Sequence, residues 1–127
     1  MNGSKGVGGD KIAIPEIVHK PWGFEKIWAK TDKYVGKILH INPGQRLSLQ
    51  YHNVKDETIY VLSGNLRLVL NEVGIETFMP EGTSYRIKPG AIHRFEAAEN
   101  MGPVVLLEVS TPELDDVVRL HDDYSRD

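Results

Sequence analysis

The sequence predicts an all-β domain, a sandwich or barrel of roughly eight or nine short strands closed by a short C-terminal helix. Three observations carry this. Apolar and polar residues alternate with period two through most of the chain. Turn residues punctuate it at Asn42-Pro43-Gly44, Ser63-Gly64-Asn65, Pro80-Glu81-Gly82 and Pro89-Gly90. The period lengthens only at the end, after Thr111-Pro112. The 127 residues suffice for one domain with one core.

Residues 1–11 hold four glycines and little apolar content, so a flexible tail is expected there and a single domain over 12–127. Ile12–Val18 reads as an extended lead-in, Lys20–Gly23 as a turn carrying Trp22, and Phe24–Ala29 as a short strand. Tyr34–Ile41 alternates cleanly, with Val35, Lys37, Leu39 and Ile41 on one face. Gln45–His52 puts Arg46, Ser48, Gln50 and His52 on one face and Leu47, Leu49 and Tyr51 on the other. A face that polar suits a cavity lining. The apolar face is expected to pack between sheets or across a homodimer. Glu57–Leu62, Leu66–Leu70, Ile75–Met79, Thr83–Lys88 and Ala91–Ala97 follow as strands. Val104–Val109 is the most apolar and is expected to be buried. Thr111 and Pro112 suit an N-cap and first helical residue, acids fill the next positions, and Leu114, Val117 and Val118 keep helical spacing. These features predict a helix over about Pro112–His121.

Composition excludes several classes of function. Net charge is −3 and no basic run is present, which argues against a nucleic-acid track or an anionic membrane surface. There is no cysteine, hence no disulfide or thiolate chemistry. The N-terminus lacks the apolar stretch of a secretory signal, and no apolar run approaches the roughly 20 residues of a membrane span. The expected location is the cytoplasm.

The chemistry concentrates in Pro43–Gly64. Gln50 and His52 share a strand face, and a hairpin across Asn53–Asp56 brings Glu57 beside them. An imidazole, an amide oxygen and a carboxylate converging on one point form part of a metal site. The plainer reading of His52 and Glu57 is a hydrogen-bonded pair.

The spacing Gly44-x5-Gln50-x-His52-x4-Glu57-x6-Gly64 resembles the first signature of the cupin superfamily, with Gln50 in place of its first histidine. Gly82…Pro89-Gly90-x-x-His93 resembles the second. A closer resemblance runs from about Lys20, through Pro21-Trp22-Gly23, Asn42-Pro43-Gly44-Gln45-Arg46-Leu47-Ser48-Leu49-Gln50, Pro89–Arg94, Leu107-Glu108-Val109 and Asp115–Arg119 to Asp122–Arg126. These stretches look like the C-terminal cupin domain of type II phosphomannose isomerases. Departures lie at Tyr51-His52-Asn53-Val54, where that family has a histidine run, and at Ser125, where it has glycine. The resemblance implies a double-stranded β-barrel of jelly-roll type, with Gln50, His52, Glu57 and His93 as metal ligands. It implies a sugar-phosphate substrate of the mannose 6-phosphate/fructose 6-phosphate type, and Arg119 and Arg126 as phosphate-binding residues. It implies Zn²⁺, although the donor set equally permits Fe²⁺, Mn²⁺, Co²⁺ or Ni²⁺. Such enzymes usually also carry a guanylyltransferase domain. This chain is expected to lack it, so guanylyl transfer is not carried over.

An aldose–ketose isomerase needs a base beside the sugar. Glu108 is the candidate, because burial in an apolar strand raises a carboxyl pKa; the plainer role is an internal bridge to a lysine or arginine. Lys37 and Arg46 are candidates for steadying developing negative charge or binding phosphate, or else structural pairs. A non-catalytic metal-binding cupin for a sugar or small acid, and an iron-dependent oxidase, stand as alternatives. The partner expected in each case is a small molecule, most simply an anionic sugar.

Overall fold

The computed structural model describes residues 11–124, which form two antiparallel sheets and, among the described residues, no helix. In chain order the strands are β1 (Glu16–Lys20), β2 (Gly23–Lys30), β3 (Val35–Ile41), β4 (Leu49–Tyr51), β5 (Glu57–Ser63) and β6 (Leu66–Leu70), then β7 (Ile75–Met79), β8 (Ser84–Ile87), β9 (His93–Glu96), β10 (Val104–Ser110) and β11 (Val118–His121). One sheet runs β1-β2-β3-β10-β5-β8 and the other β11-β4-β9-β6-β7. The inward residues of both, among them Leu39, Ile59 and Leu106 from the first and Leu66, Leu68 and Phe95 from the second, make one core. This is the expected double-stranded barrel. The apolar β10 lies inside the six-stranded sheet, flanked by β3 and β5; its inward residues are buried as expected, whereas Val109 on the other face is exposed. Gly64 closes the β5–β6 turn at φ 85°, and a Cβ there would meet the Pro103 carbonyl oxygen, so the last glycine of the first signature is sterically required.

Three expectations fail. The hairpin across Asn53–Asp56 does not form, because the chain crosses there from one sheet to the other, β4 pairing with β11 and β9 and β5 with β10 and β8. The strand over Gln45–His52 is interrupted. Gln50 pairs with His93, but Arg46 bridges Glu96, so four steps on one strand face three on the other. One extra residue bulges, and a bulge re-aims the side chains on either side of it. Arg46 and Leu49 therefore lie on the outer face, whereas Leu47 packs against the core. Residues 112–117 are not helical either. Their amides reach back only two or three residues, as in Leu114 to Pro112 and Asp116 to Glu113, and the chain then enters β11, where Val118 pairs with Tyr51 and Arg119 with Gln50. A ten-residue helix is marginal alone. The open edge of β4 and the β-branched Val117 and Val118 favour sheet addition. The tail expected over residues 1–11 falls, but for Lys11, outside the described residues, as does Arg126.

Candidate metal centre

His52 follows β4, His93 opens β9 and Glu57 opens β5, so the cluster draws on both sheets. Their side chains are almost fully buried, with relative exposures of 2%, 1% and 3% for His52, His93 and Glu57. One donor atom from each lies within 4.8 Å of the others. Glu57 Oε1 stands 3.2 Å from His52 Nε2, and Oε2 stands 4.0 Å from His93 Nε2.

The other ring nitrogens fix the tautomers. His52 Nδ1 lies 2.6 Å from the Asp116 carbonyl oxygen and His93 Nδ1 2.9 Å from that of Ala91. A carbonyl only accepts, so each Nδ1 carries the proton and each Nε2 presents a lone pair. Both Nε2 atoms are buried and without a hydrogen-bond partner. Two bare lone pairs facing a carboxylate repel. A proton on one ring satisfies one contact, whereas a divalent cation satisfies all three, and histidine ligands anchored through the second nitrogen are the usual arrangement. The residues fit a metal ion. Gln50, directly across from His93, accepts a hydrogen bond from Ser48 Oγ at 2.7 Å on Oε1, which leaves one lone pair on that oxygen.

The cluster borders a cavity of about 400 Å³ that Gln50, His52, Glu57, Glu108, Lys37 and Arg119 all line. Across the inner face of the larger sheet the charges alternate. Lys37 Nζ is 3.3 Å from Glu25 and stands opposite Glu108 in the β3–β10 register. Lys55 Nζ lies 3.6 Å from Glu108 and 3.1 Å from Glu57. Burial and the neighbouring Glu57 charge push the Glu108 carboxyl up to about 7, against the pull of Lys55 and Lys37. Burial also pushes Glu57 up, but in acid, once the two imidazoles take up protons, the His52 ring and the Lys55 and His93 charges overcome it and hold the carboxyl at about 2. Burial keeps the His93 imidazole below its ordinary value. Glu108 Oε2 is buried without a hydrogen-bond partner.

Arg46 is not in this cavity. Its guanidinium is paired outside with Glu96 at 3.0 Å and Asp123 at 2.7 Å. Two residues in contact with the cluster escaped the sequence reading. Lys55 lies two positions before Glu57, hence on its face in extended chain, but inside a run that signals an exposed turn. Asp116 read as a helix-initiating acid; nothing in the periodicity marks its place beside His52.

The mannose-6-phosphate isomerase C-terminal family matches residues 8–122. The chain is 36% identical over 114 residues to the mannose-1-phosphate guanylyltransferase ManC of Salmonella typhimurium, which covers 86% of this chain and 23% of that protein. It thus spans under a quarter of that relative's length. Among solved structures, the capsular polysaccharide assembling protein CapF of Staphylococcus aureus superposes with a TM-score of 0.74 at 19% identity, over 87% of this chain and 35% of that one. An RmlC-like cupin from Shewanella frigidimarina gives 0.69 at 15% identity, over 84% and 89%.

Proposed function

Because this chain belongs to the mannose-6-phosphate isomerase C-terminal family, we propose that it is a metal-dependent sugar-phosphate isomerase acting on mannose 6-phosphate and fructose 6-phosphate. One observation carries the reading. A buried acid, Glu108, whose Oε2 makes no hydrogen bond and only a 3.6 Å ion pair with Lys55, lines the same polar cavity as the three-donor cluster and lies between two lysines. His52, Glu57 and His93 hold the ion, with Gln50 Oε1 as fourth donor, and Zn²⁺ is the ion we assign. A bound divalent cation acts as a Lewis acid toward a sugar oxygen.

The chain's own groups do the rest. Isomerisation moves one hydrogen from C2 to C1 and one from O2 to O1, with no net change in atoms or electrons. Glu108, with its acidity near neutrality, takes the C2 proton as a carboxylate and returns it to C1 as a carboxylic acid. Lys37 and Lys55 flank it and balance the negative charge that gathers on the sugar oxygens. Arg119, at the exposed rim of the cavity, takes the phosphate.

The test is conversion of mannose 6-phosphate to fructose 6-phosphate by the metal-loaded protein. Glu108→Gln is expected to lower kcat by about 10²–10⁴-fold, the range of a general base, and Arg119→Ala to raise KM. Full metal occupancy with no turnover of any hexose phosphate would contradict the reading and favour a non-catalytic binder.

A further inference from the structure

We propose that Asp116 is a positioning residue for the metal centre, holding His52 and Lys55 in place through two different parts of itself. The inference rests on reading His52, Glu57 and His93 as metal ligands. After His52 the chain turns, and three successive backbone N–H groups point to one spot. All three donate to the Asp116 carboxylate, Asn53 to Oδ1 at 2.9 Å, and Val54 and Lys55 to Oδ2 at 2.7 and 2.8 Å. Successive amides of this kind make a concavity whose natural occupant is an anion. These bonds hold the Asp116 carboxyl at about 2, so the clamp is charged throughout the neutral range.

The same residue's carbonyl oxygen accepts the His52 Nδ1 proton at 2.6 Å. Asp116 therefore fixes the backbone of the loop between two ligands and also the ring orientation of one of them. Lys55, whose amide it holds, places its ammonium between Glu57 and Glu108. Thr111 adds a further anchor, exchanging backbone and side-chain hydrogen bonds with Asp56 at 3.0 Å each. The segment so pinned also lines the cavity, through Leu114, Asp115 and Val117. The two histidines differ in this respect. His52 is oriented by a residue 64 positions away, whereas His93 is oriented by Ala91, two positions away in its own loop. Loss of the clamp disturbs one histidine and spares the other.

Asp116→Asn tests this, since it keeps the shape and the backbone carbonyl but turns an amide NH₂ toward an N–H donor. The variant's single amide oxygen can still accept from Val54 and Lys55 in place of Oδ2, but its NH₂ then faces the Asn53 N–H; in the metal-free protein at pH 8, exchange of the Asn53 amide is therefore expected to speed up at least about tenfold as its partner is lost. The His52 ring ¹⁵N signals are expected to move toward a mixture of tautomers, and those of His93 to stay. Titrated with Co²⁺ or Zn²⁺, the variant is expected to bind about 10–100-fold more weakly, as when other outer partners of metal ligands are removed, with a shifted Co²⁺ d–d spectrum. Arg86→Ala, which removes an exposed pair with Asp56, is expected to leave affinity within about twofold. The wild type alone supplies a further check, because its metal-free His52 must carry the proton on Nδ1. A bare Nδ1, or wild-type metal affinity and unmoved His52 signals in Asp116→Asn, overturns the proposal. A wild-type protein that binds no divalent ion overturns the metal-site reading and this inference with it, whereas full binding by the variant overturns the inference alone.

Discussion

Replacing Glu108 by glutamine removes a carboxyl that the fold buries at a cost, and the cost depends on pH in a way the structure specifies. In the unfolded chain this acid titrates near 4.5, and in the folded protein burial and Glu57 carry it to about 7. At ~1.4 kcal/mol per tenfold change in proton affinity, the difference corresponds to about 3 kcal/mol. The sign follows from linkage. Between the two values the folded protein keeps a proton that the unfolded chain has released, so stability falls as pH rises from 4.5 toward 7 and the loss persists above it. Glutamine does not titrate, so the variant escapes this loss, while the remaining groups titrate in both proteins. The assay is urea and thermal unfolding of metal-free wild type and Glu108→Gln at pH 5 and pH 8. Because the unfolded acid is already mostly ionised at pH 5, the variant is expected to gain about 2.5 kcal/mol relative to wild type between the two conditions, or about 8 °C in Tm for a domain of this size. Any constant difference from the altered Lys55 pairing drops out of that comparison. A gap that stays level from pH 5 to pH 8 would show that Glu108 keeps an ordinary acidity, and the case for it as a base near neutrality would fall.

Lys55→Met leaves Glu57 and Glu108 without the ammonium between them. The metal-free protein is expected to lose about 3–5 kcal/mol, as when one partner of a buried pair is removed. Urea melts with and without Zn²⁺ should show part of that loss recovered by the ion; a loss below about 1 kcal/mol would contradict the pairing. Glu57, held at about 2, contributes stability that is complete above its unfolded value near 4.5 and is lost as pH falls toward 2. Metal-free Glu57→Gln should therefore lack that acid limb, and an unchanged acid melt would count against the depressed acidity. Arg46→Ala removes partly exposed pairs on the outer face; it is expected to cost about 0–1 kcal/mol and to leave KM for hexose phosphates and metal affinity unchanged. A large rise in KM would return Arg46 to the substrate.

The barrel was legible because its strands alternate and because Gly64, Pro89-Gly90 and Asn42-Pro43-Gly44 mark the corners. Strand parity alone put Gln50 and His52 on one face, but the hairpin expected to bring Glu57 beside them does not form; β4 and β5 lie in different sheets, and Glu57 meets the histidines from the opposite sheet. His93 needed the family resemblance, because nothing local ties it to a residue far back in the chain. Parity failed at the bulge between Arg46 and Gln50, where no glycine or proline announces an extra residue. It could not report Asp116, whose role depends on a loop 61 to 64 positions earlier. The apolar spacing of Leu114, Val117 and Val118 was real, but Leu114 and Val117 face the cavity and Val118 extends a sheet. Periodicity records which residues need shelter and not which neighbour supplies it.

The measurement that tests the account most directly is calorimetric titration of the metal-free protein with Zn²⁺ at neutral pH, with Glu57→Gln and His93→Ala alongside. The expected result is one ion per chain for the wild type, with binding lost or greatly weakened in both variants while both remain folded. Binding that neither substitution disturbs, or no binding by the wild type, would contradict the assignment of His52, Glu57 and His93 as a metal centre.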